Sequence, residues 1–296
     1  MIRWKRKGEW MELALYHSDW NPVQQDAAQA LEQHLNLRVP RKLFNKLLKD
    51  GGIKRQGDRL LVRVFPSERS AIASEYSELE ILFEDDFCLV VNKPAGMSIH
   101  PAEKGQKGTL AGAVAYYYES TGQSCSIRHI HRLDRDTTGA VLYAKNEWAH
   151  LLLDEDMREK HIERIYTALA SGIFTAKEGS IREPIGSDRH LSGKRRVTPD
   201  GDDALTHFTV LEQMKKAAHL QIRLETGRTH QIRVHMSYIG HPLLGDILYG
   251  GTSIGIDRQA LHGEQLLFSH PVSGEPLSIT APLPDDFLQL QAKLRE

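Results

Sequence analysis

Apolar and polar positions along the chain fall into two unequal parts. Near the start, Trp4, Trp10, Leu13 and Leu15 are spaced for one short strand or a strand pair. Residues 22–35 have helical composition. A second helix follows from Pro40, with Leu43, Leu47 and Leu48 on one face and Arg41, Lys42, Lys46 and Lys49 around the other. Gly51-Gly52 stops it, and the run RLLVRVF (residues 59–65) reads as a strand. Residues 66–79 are small and polar, a linker pattern. Beyond them, strands within ILFEDDFCLVVNK lead into the turn Lys93-Pro94-Ala95-Gly96, and a helix is expected over residues 109–118. The run AVLYAK after Gly139 alternates like a half-buried strand.

Asn146 is placed to cap a helix whose Trp148, Leu152 and Leu151 face inward. RIYTALASG is a strand ending at Gly172. Residues 179–204 show no period and form a long polar connection, a length uncommon outside functional or disordered segments. HFTVLEQ and AHLQIRLET pair as antiparallel strands, and Thr226-Gly227-Arg228 turns the chain. Thr229 then caps a helix with Ile232, Met236 and Ile239 inward and Gly240 at its end. The closing stretch reads as further strands around a Pro-Val-Ser-Gly turn. The expected organisation is a small module plus linker over residues 1–76 and an α+β body over residues 77–296.

Composition is that of an ordinary globular protein: 296 residues, 40% hydrophobic and 26% charged. Only Cys88 and Cys125 are present, so no disulfide framework exists, which fits a reducing compartment. The basic start MIRWKRKGEW is followed by no apolar segment, and no window reaches membrane-spanning length. A cytoplasmic protein is expected. Charge changes the picture more. The chain carries a net −1, yet residues 1–65 hold thirteen Lys/Arg against seven Asp/Glu, a surplus of +6 that leaves −7 for the rest. A basic module on a mildly acidic body is the asymmetry of a nucleic-acid partner, although a solvated basic face gives the same count.

The densest chemistry lies in HRLDRDTTG, His131–Gly139, which packs Arg132, Asp134, Thr137 and Thr138 into one polar loop before a strand. It resembles the signature HRLDxxTSG of the RluA family of pseudouridine synthases, departing only at Thr138. Four further stretches resemble the family's blocks in the family's order: NKPAGMSIHP, RIYTA, ETGRTHQIRVH and the closing strands. Together they cover most of residues 80–287. The resemblance implies a mixed, largely antiparallel sheet with flanking helices and a central RNA cleft. Residues 1–65, with their basic helix, glycine turn and short strand, resemble the small S-four-like RNA-binding module found ahead of such domains, with IKRQGDR replacing its usual hairpin.

The implied reaction breaks a uridine's glycosidic bond, turns the uracil and rejoins it through carbon, with no metal, cofactor or protein partner required and a monomer sufficient. By motif position Asp134 is the nucleophile, a role that suits a carboxylate with a reference pKa of about 3.9. The family's arginine partner is Arg233 and its active-site tyrosine Tyr166, whose reference pKa of about 10 favours positioning over base catalysis. The target base must first leave its stack, and Arg132 matches the arginine that fills the vacated place. Arg228 and Lys93 are expected to hold RNA phosphate or brace loops, and the cluster Lys194, Arg195 and Arg196 to touch phosphate, although solvated surface accounts for the cluster equally well. Asp136 reads as a surface carboxylate. His129 with His131, and His230 with His235, have ligand-like spacing, but no thiolate pair or HExxH accompanies them. Two other classes stay open: a non-catalytic RNA-binding relative, and a hydrolase with an aspartate nucleophile, which usually needs a second carboxylate.

Overall fold

The computed structural model describes residues 4–14, 27–35, 37–103 and 105–296. Leu15 and residues 22–26, counted above in the first strand pair and first helix, lie outside them. The N-terminal part contains β1 (Trp4–Lys7), β2 (Trp10–Ala14), α1 (Ala27–Leu35), α2 (Arg41–Lys49), β3 (Ile53–Gln56) and β4 (Arg59–Val62). Its four strands form an antiparallel sheet in the order β1-β2-β4-β3. In α2 the buried side is Leu43, Phe44 and Leu47, while Leu48 is only half covered. Gly51 follows the helix with φ of 68°, a conformation that a side chain disfavours.

The body continues with β5 (Glu80–Glu84), β6 (Cys88–Lys93), α3 (Leu110–Ser120), β7 (Arg128–His129), β8 (Thr138–Ala144) and α4 (Glu147–Arg158). Then come β9 (Glu163–Ser171), β10 (Glu178–Arg182), β11 (Ile185–Ser187), β12 (Arg195–Val197), β13 (Leu205–Gln213), β14 (Ala217–Leu224) and α5 (Gln231–Tyr238). A single 3₁₀ turn (Ile247–Tyr249), β15 (Leu261–Ser269), β16 (Pro276–Thr280) and α6 (Asp285–Arg295) complete it. Ten strands make one mixed sheet, ordered β10-β13-β14-β9-β15-β8-β6-β5, with β16 on β15 and β7 on β8. Only the β15–β8 pairing is parallel, so the sheet is largely antiparallel as expected.

That parallel pair is a seam between the two halves of the sheet. Thr138 lies opposite His262 and Gly139 opposite Gly263. A Cβ at Gly139 would sit 2.2 Å from the Gly263 carbonyl oxygen, and φ there is 120°. No other residue fits. The loop before β8, the tyrosine of β9 and the start of α5 all converge near this seam.

Several elements differ from the sequence reading. β8 is buried along its whole length rather than on one face. The 179–204 stretch contains the edge strand β10 and the β11–β12 hairpin, so it is built rather than loose. On α4, Asn146 does cap the helix, accepting from the Ala149 amide at 2.9 Å, but Leu153 faces inward and Leu151 outward. Residue 230, not Thr229, caps α5, and it does so without a side-chain hydrogen bond. The C-terminal helix α6 was not foreseen, although Asp285 and Asp286 in its first turn and Lys293 and Arg295 in its last suit the helix dipole.

Residues 66–79 have no regular structure but are not loose. The Glu75 amide donates to the Gly112 carbonyl at 3.1 Å, and Arg128 pairs with Glu68 at 2.6 Å. The N-terminal part shares a hydrophobic cluster with the body. Phe44 meets Trp148 edge-on at 6.4 Å, and Trp4 and Phe65 pack on Phe87 at 4.9 and 5.3 Å. Arg38 grips the buried Asp156 through two nitrogens, at 2.5 and 2.9 Å. Cutting the chain at Ser77 therefore uncovers Phe87 and Trp148, at roughly 1.5–3 kcal/mol for each large side chain. A chain beginning there is expected to melt at least ~10 °C below the full one in calorimetry. Equal melting temperatures would show that this shared cluster contributes little.

Candidate active site

Three elements bring the site together. Asp134 lies in the loop that feeds β8, Tyr166 on β9, and Arg233 in the first turn of α5. All three line one recess, with Arg132, Arg164, Arg228 and residue 230 around them. The recess opens into a wider cleft of about 680 Å³ walled by Ser98–Ala102, His129, Arg135 and Gln259. In the sheet Tyr166 lies between Ile222 on one side and Gly263 on the other, and the glycine places no side chain beside its ring.

Arg233 is held from two sides. Its Nε and Nη2 donate to the two oxygens of Asp246, at 2.7 and 2.9 Å, and its Nη1 donates to Asp134 Oδ2 at 3.2 Å. Its guanidinium also lies over the Tyr249 ring, 4.9 Å from the centroid. The Asp246 side chain is 1% exposed and that of Asp134 21%. The tight, two-point bond is therefore on the inner side, and the looser single bond faces the recess. Burial works against the charge of Arg233, yet Asp246 first and Asp134 second raise its pKa above that of an ordinary guanidinium. It stays charged.

Asp246 and Tyr249 come from GDILYG, a stretch that looks like a set of turns in sequence. Gly245 has φ of 76°, and a Cβ there would collide with the Arg258 carbonyl at 2.0 Å. Aspartate after an obligatory glycine turn was the available signal. Residues holding the Asp134 loop were also missed. Arg258 donates to the Asp136 carbonyl at 3.4 Å, Gln259 to Thr137 Oγ1 at 3.0 Å, and His262 Nδ1 bonds Thr138 Oγ1 at 2.8 Å. All sit at the start of the closing block, where only a strand was legible.

Lys93 requires a correction. Of its two expected tasks, holding phosphate fails and bracing a loop stands, because its side chain is fully buried. Its Nζ donates to the carbonyls of Pro94, Met97 and Arg135, at 2.8, 2.9 and 2.8 Å. Three acceptors match the three hydrogens of an ammonium, and they tie the β6 turn to the residue after Asp134. Burial nevertheless lowers its pKa to about 7, against the pull of Asp136 and Asp134. Lys93 braces the Asp134 loop from within the core and is closed to any surface ligand.

The remaining expected contacts divide. Arg132 is exposed at the junction of recess and cleft. Arg228 lines the recess but turns its Nε to the Asp203 carbonyl, 2.9 Å away. Lys194, Arg195 and Arg196 lie outside both cavities. Lys194 Nζ sits 5.5 Å from the Tyr249 ring centroid, the Arg195 amide donates to the Tyr249 hydroxyl at 2.9 Å, and Arg196 is half-buried. Tyr166 is buried, which raises its pKa. His131 is enclosed too, and burial lowers its pKa to about 3. Its Nε2 accepts from the Leu142 amide at 3.2 Å, a structural task. His235 likewise bonds Thr206 and the Glu183 carbonyl, at 2.8 and 2.9 Å.

Known proteins resemble this chain in sequence and fold. The family model for RNA pseudouridylate synthase matches residues 87–238. The RNA pseudouridine synthase YhcT of Bacillus subtilis is 43% identical over 98% of this chain and 95% of its own. Ribosomal large subunit pseudouridine synthase D of Pseudomonas aeruginosa is 37% identical, over 93% and 92%. The structure of human RNA pseudouridylate synthase domain containing 1 superposes with a TM-score of 0.59 at 26% identity, covering 74% of this chain and 95% of that one.

Two outcomes follow from the geometry. Asp246→Asn removes one charge from the fork that aims Arg233, and single-turnover conversion of RNA is expected to slow by ~10–100-fold. An unchanged rate would mean that Asp134 alone orients the guanidinium. For Lys93 the sign is set by its lowered pKa. Between about pH 7 and the ordinary lysine value, the unfolded chain holds a proton that the folded chain has released. Stability from this residue therefore rises with pH across that window. In urea titrations the wild type should gain on Lys93→Met as pH is raised from about 7 to 9. Parallel pH profiles would show a lysine that stays protonated throughout.

Proposed function

This chain belongs to the RNA pseudouridylate synthase family, and from that premise we propose that Asp134 is its nucleophile and a uridine of large-subunit ribosomal RNA its target. Isomerisation of uridine to pseudouridine is the family's reaction, which removes the hydrolase alternative. One observation carries the assignment of Asp134. Among the carboxylates of the recess and cleft it is the one bonded to a guanidinium while 21% exposed, with the buried Tyr166 beside it. A carboxylate that is both oriented and open can attack a sugar carbon or stabilise its positive charge. Tyr166 supports the base, since its burial keeps the hydroxyl protonated.

The RNA reading rests on charge and on the relatives. Arg132, Arg164 and Arg228 surround the recess with few acidic partners of their own, which suits a polyanion. Arg132 fills the space left by the flipped base. Residues 1–65, with Lys42, Lys46 and Lys49 exposed along α2, track phosphate away from the chemistry. Lys194, Arg195 and Arg196 act in the same way from the β11–β12 hairpin. Large-subunit ribosomal RNA is preferred over transfer RNA because a relative matched over nearly its full length carries that target in its name. The chain works as a cytoplasmic monomer, with no protein partner.

Pseudouridine mapping in ribosomal and transfer RNA from a strain lacking this protein tests the target. One or more large-subunit sites should revert to uridine, and loss confined to transfer RNA would overturn the choice. Returning Asp134→Asn to that strain should leave the sites unmodified while the protein still binds RNA. Residual activity within about tenfold of wild type would remove the nucleophile assignment. Tyr166→Phe should lose less activity than Tyr166→Ala, because the ring rather than the hydroxyl supports the base.

A further inference from the structure

We propose that His230 is a second catalytic residue, the base that takes the proton from C5 of the uracil. The inference rests on the reading of Asp134 as nucleophile and adds a step which that reading leaves without an agent. In uridine, N1 is bonded to C1′ and C5 bears hydrogen; in pseudouridine the two are exchanged. The N1–C1′ bond breaks with its electron pair passing to the uracil, and a uracil pair then forms the C5–C1′ bond. The hydrogen left on C5 must depart as a proton, returning its pair to the ring, while N1 gains a proton. No oxidant or reductant enters, but a group that accepts and releases a proton near neutrality does.

The recess contains one such group. Asp134 is committed to the sugar. Tyr166 is kept protonated by burial, and the other titratable groups of the lining are arginines. His230 lines both the recess and the outer cleft, with its Nε2 3.9 Å from Asp134 Oδ2. Its Nδ1 is bonded to the Tyr249 hydroxyl at 2.8 Å, so Nε2 is the nitrogen that faces the reacting groups. A hydroxyl is an apt partner. It accepts from Nδ1–H when Nε2 is bare or when both nitrogens are protonated, and donates to Nδ1 in the other neutral tautomer. The ring therefore keeps its place through a cycle of protonation. The Tyr249 oxygen is itself fixed by the Arg195 amide.

The backbone carries a second sign. His230 has φ of 58°, one of two non-glycine residues with positive φ among those described, and it stands at the cap of α5 with no capping side-chain bond. A left-handed cap without a side-chain bond is served at least as well by asparagine or glycine, so the imidazole is not needed there for the helix start. A left-handed histidine held by its surroundings is a pattern of functional sites. Burial also lowers its pKa, which leaves the imidazole neutral and able to accept. In the step itself, the Nε2 lone pair takes the C5 proton to give imidazolium, which returns a proton to N1 directly or through water.

The test uses the full chain and large-subunit ribosomal RNA from a strain lacking it, grown on ordinary or 5-deuterated uracil. His230→Asn is the main variant because asparagine tolerates the left-handed backbone. Single-turnover conversion at saturating RNA should fall by about 100-fold or more. Deuterium at C5 should slow the variant by a larger factor than it slows the wild type, since proton removal becomes limiting. His230→Gly, which relaxes the backbone, should regain activity when imidazole is added. A rate within about threefold of wild type, or a loss with neither the isotope effect nor imidazole rescue, overturns the proposal. Failure of the underlying reading is distinguishable, because it appears as activity in Asp134→Asn whatever His230 does.

Discussion

The approach of β8 to β15 at Gly139 and Gly263 is the constraint on which the site depends. These strands hold together the two halves of the ten-stranded sheet, and their short parallel pairing leaves no space for a side chain at residue 139. Asp134 reaches the seam through the loop that becomes β8. Tyr166 reaches it as the neighbour of Gly263. A side chain at Gly139 would meet the Gly263 carbonyl oxygen at 2.2 Å and force the two strands apart where the Asp134 loop joins the sheet. The polar stitching around the seam has the same purpose. Lys93, Arg258, Gln259 and His262 hold the loop from both sides.

Within that frame the ion pairs are deliberately unequal. A buried guanidinium needs compensation, and leaving it unpaired would cost several kcal/mol. Asp246 supplies most of it through two bonds from a nearly inaccessible position. Asp134 is thereby relieved of the structural role. It can leave its single 3.2 Å bond without stranding a charge in the interior, which is the freedom that the proposed role requires. A lone Asp134–Arg233 pair would lack that freedom, because each excursion of the carboxylate would leave the arginine unbalanced. The inner aspartate makes the outer one available for chemistry.

Much of this was legible in the chain. Asp134, Tyr166 and Arg233 come from separate stretches, and the fold brings them to one recess. Strands with clear alternation, such as β13 and β14, and caps with an unambiguous side chain, such as Asn146, were also readable. What escaped was long-range. Asp246 takes its meaning from a guanidinium thirteen residues away around a turn, and Lys93 looks like any basic residue until three carbonyls close on it. Local pattern carries no information about which charges a fold will bury. The cap of α5 failed for a related reason: Thr229 has the preferred chemistry for the position, but the chain gives the left-handed cap to His230.

Two departures from the sequence reading have one cause. β8 alternates as though one face met water, and residues 1–65 look like a separable module. The strands β6 and β8 have two buried faces. Val91, Val141 and Tyr143 belong to the cluster that includes α3 and the site, whereas Val90, Ala140 and Leu142 belong to the cluster shared with the N-terminal part. That second face is covered by α4, whose Trp148 meets Phe44, and by Phe87 under Trp4 and Phe65. The small residues that make β8 look half-polar, Ala140 and Ala144, are what lets a helix lie close against it. The N-terminal part is therefore the outer wall of the layer that carries the Asp134 loop. A basic surplus can be counted along a chain, but which face of which strand it covers is decided only by the packing.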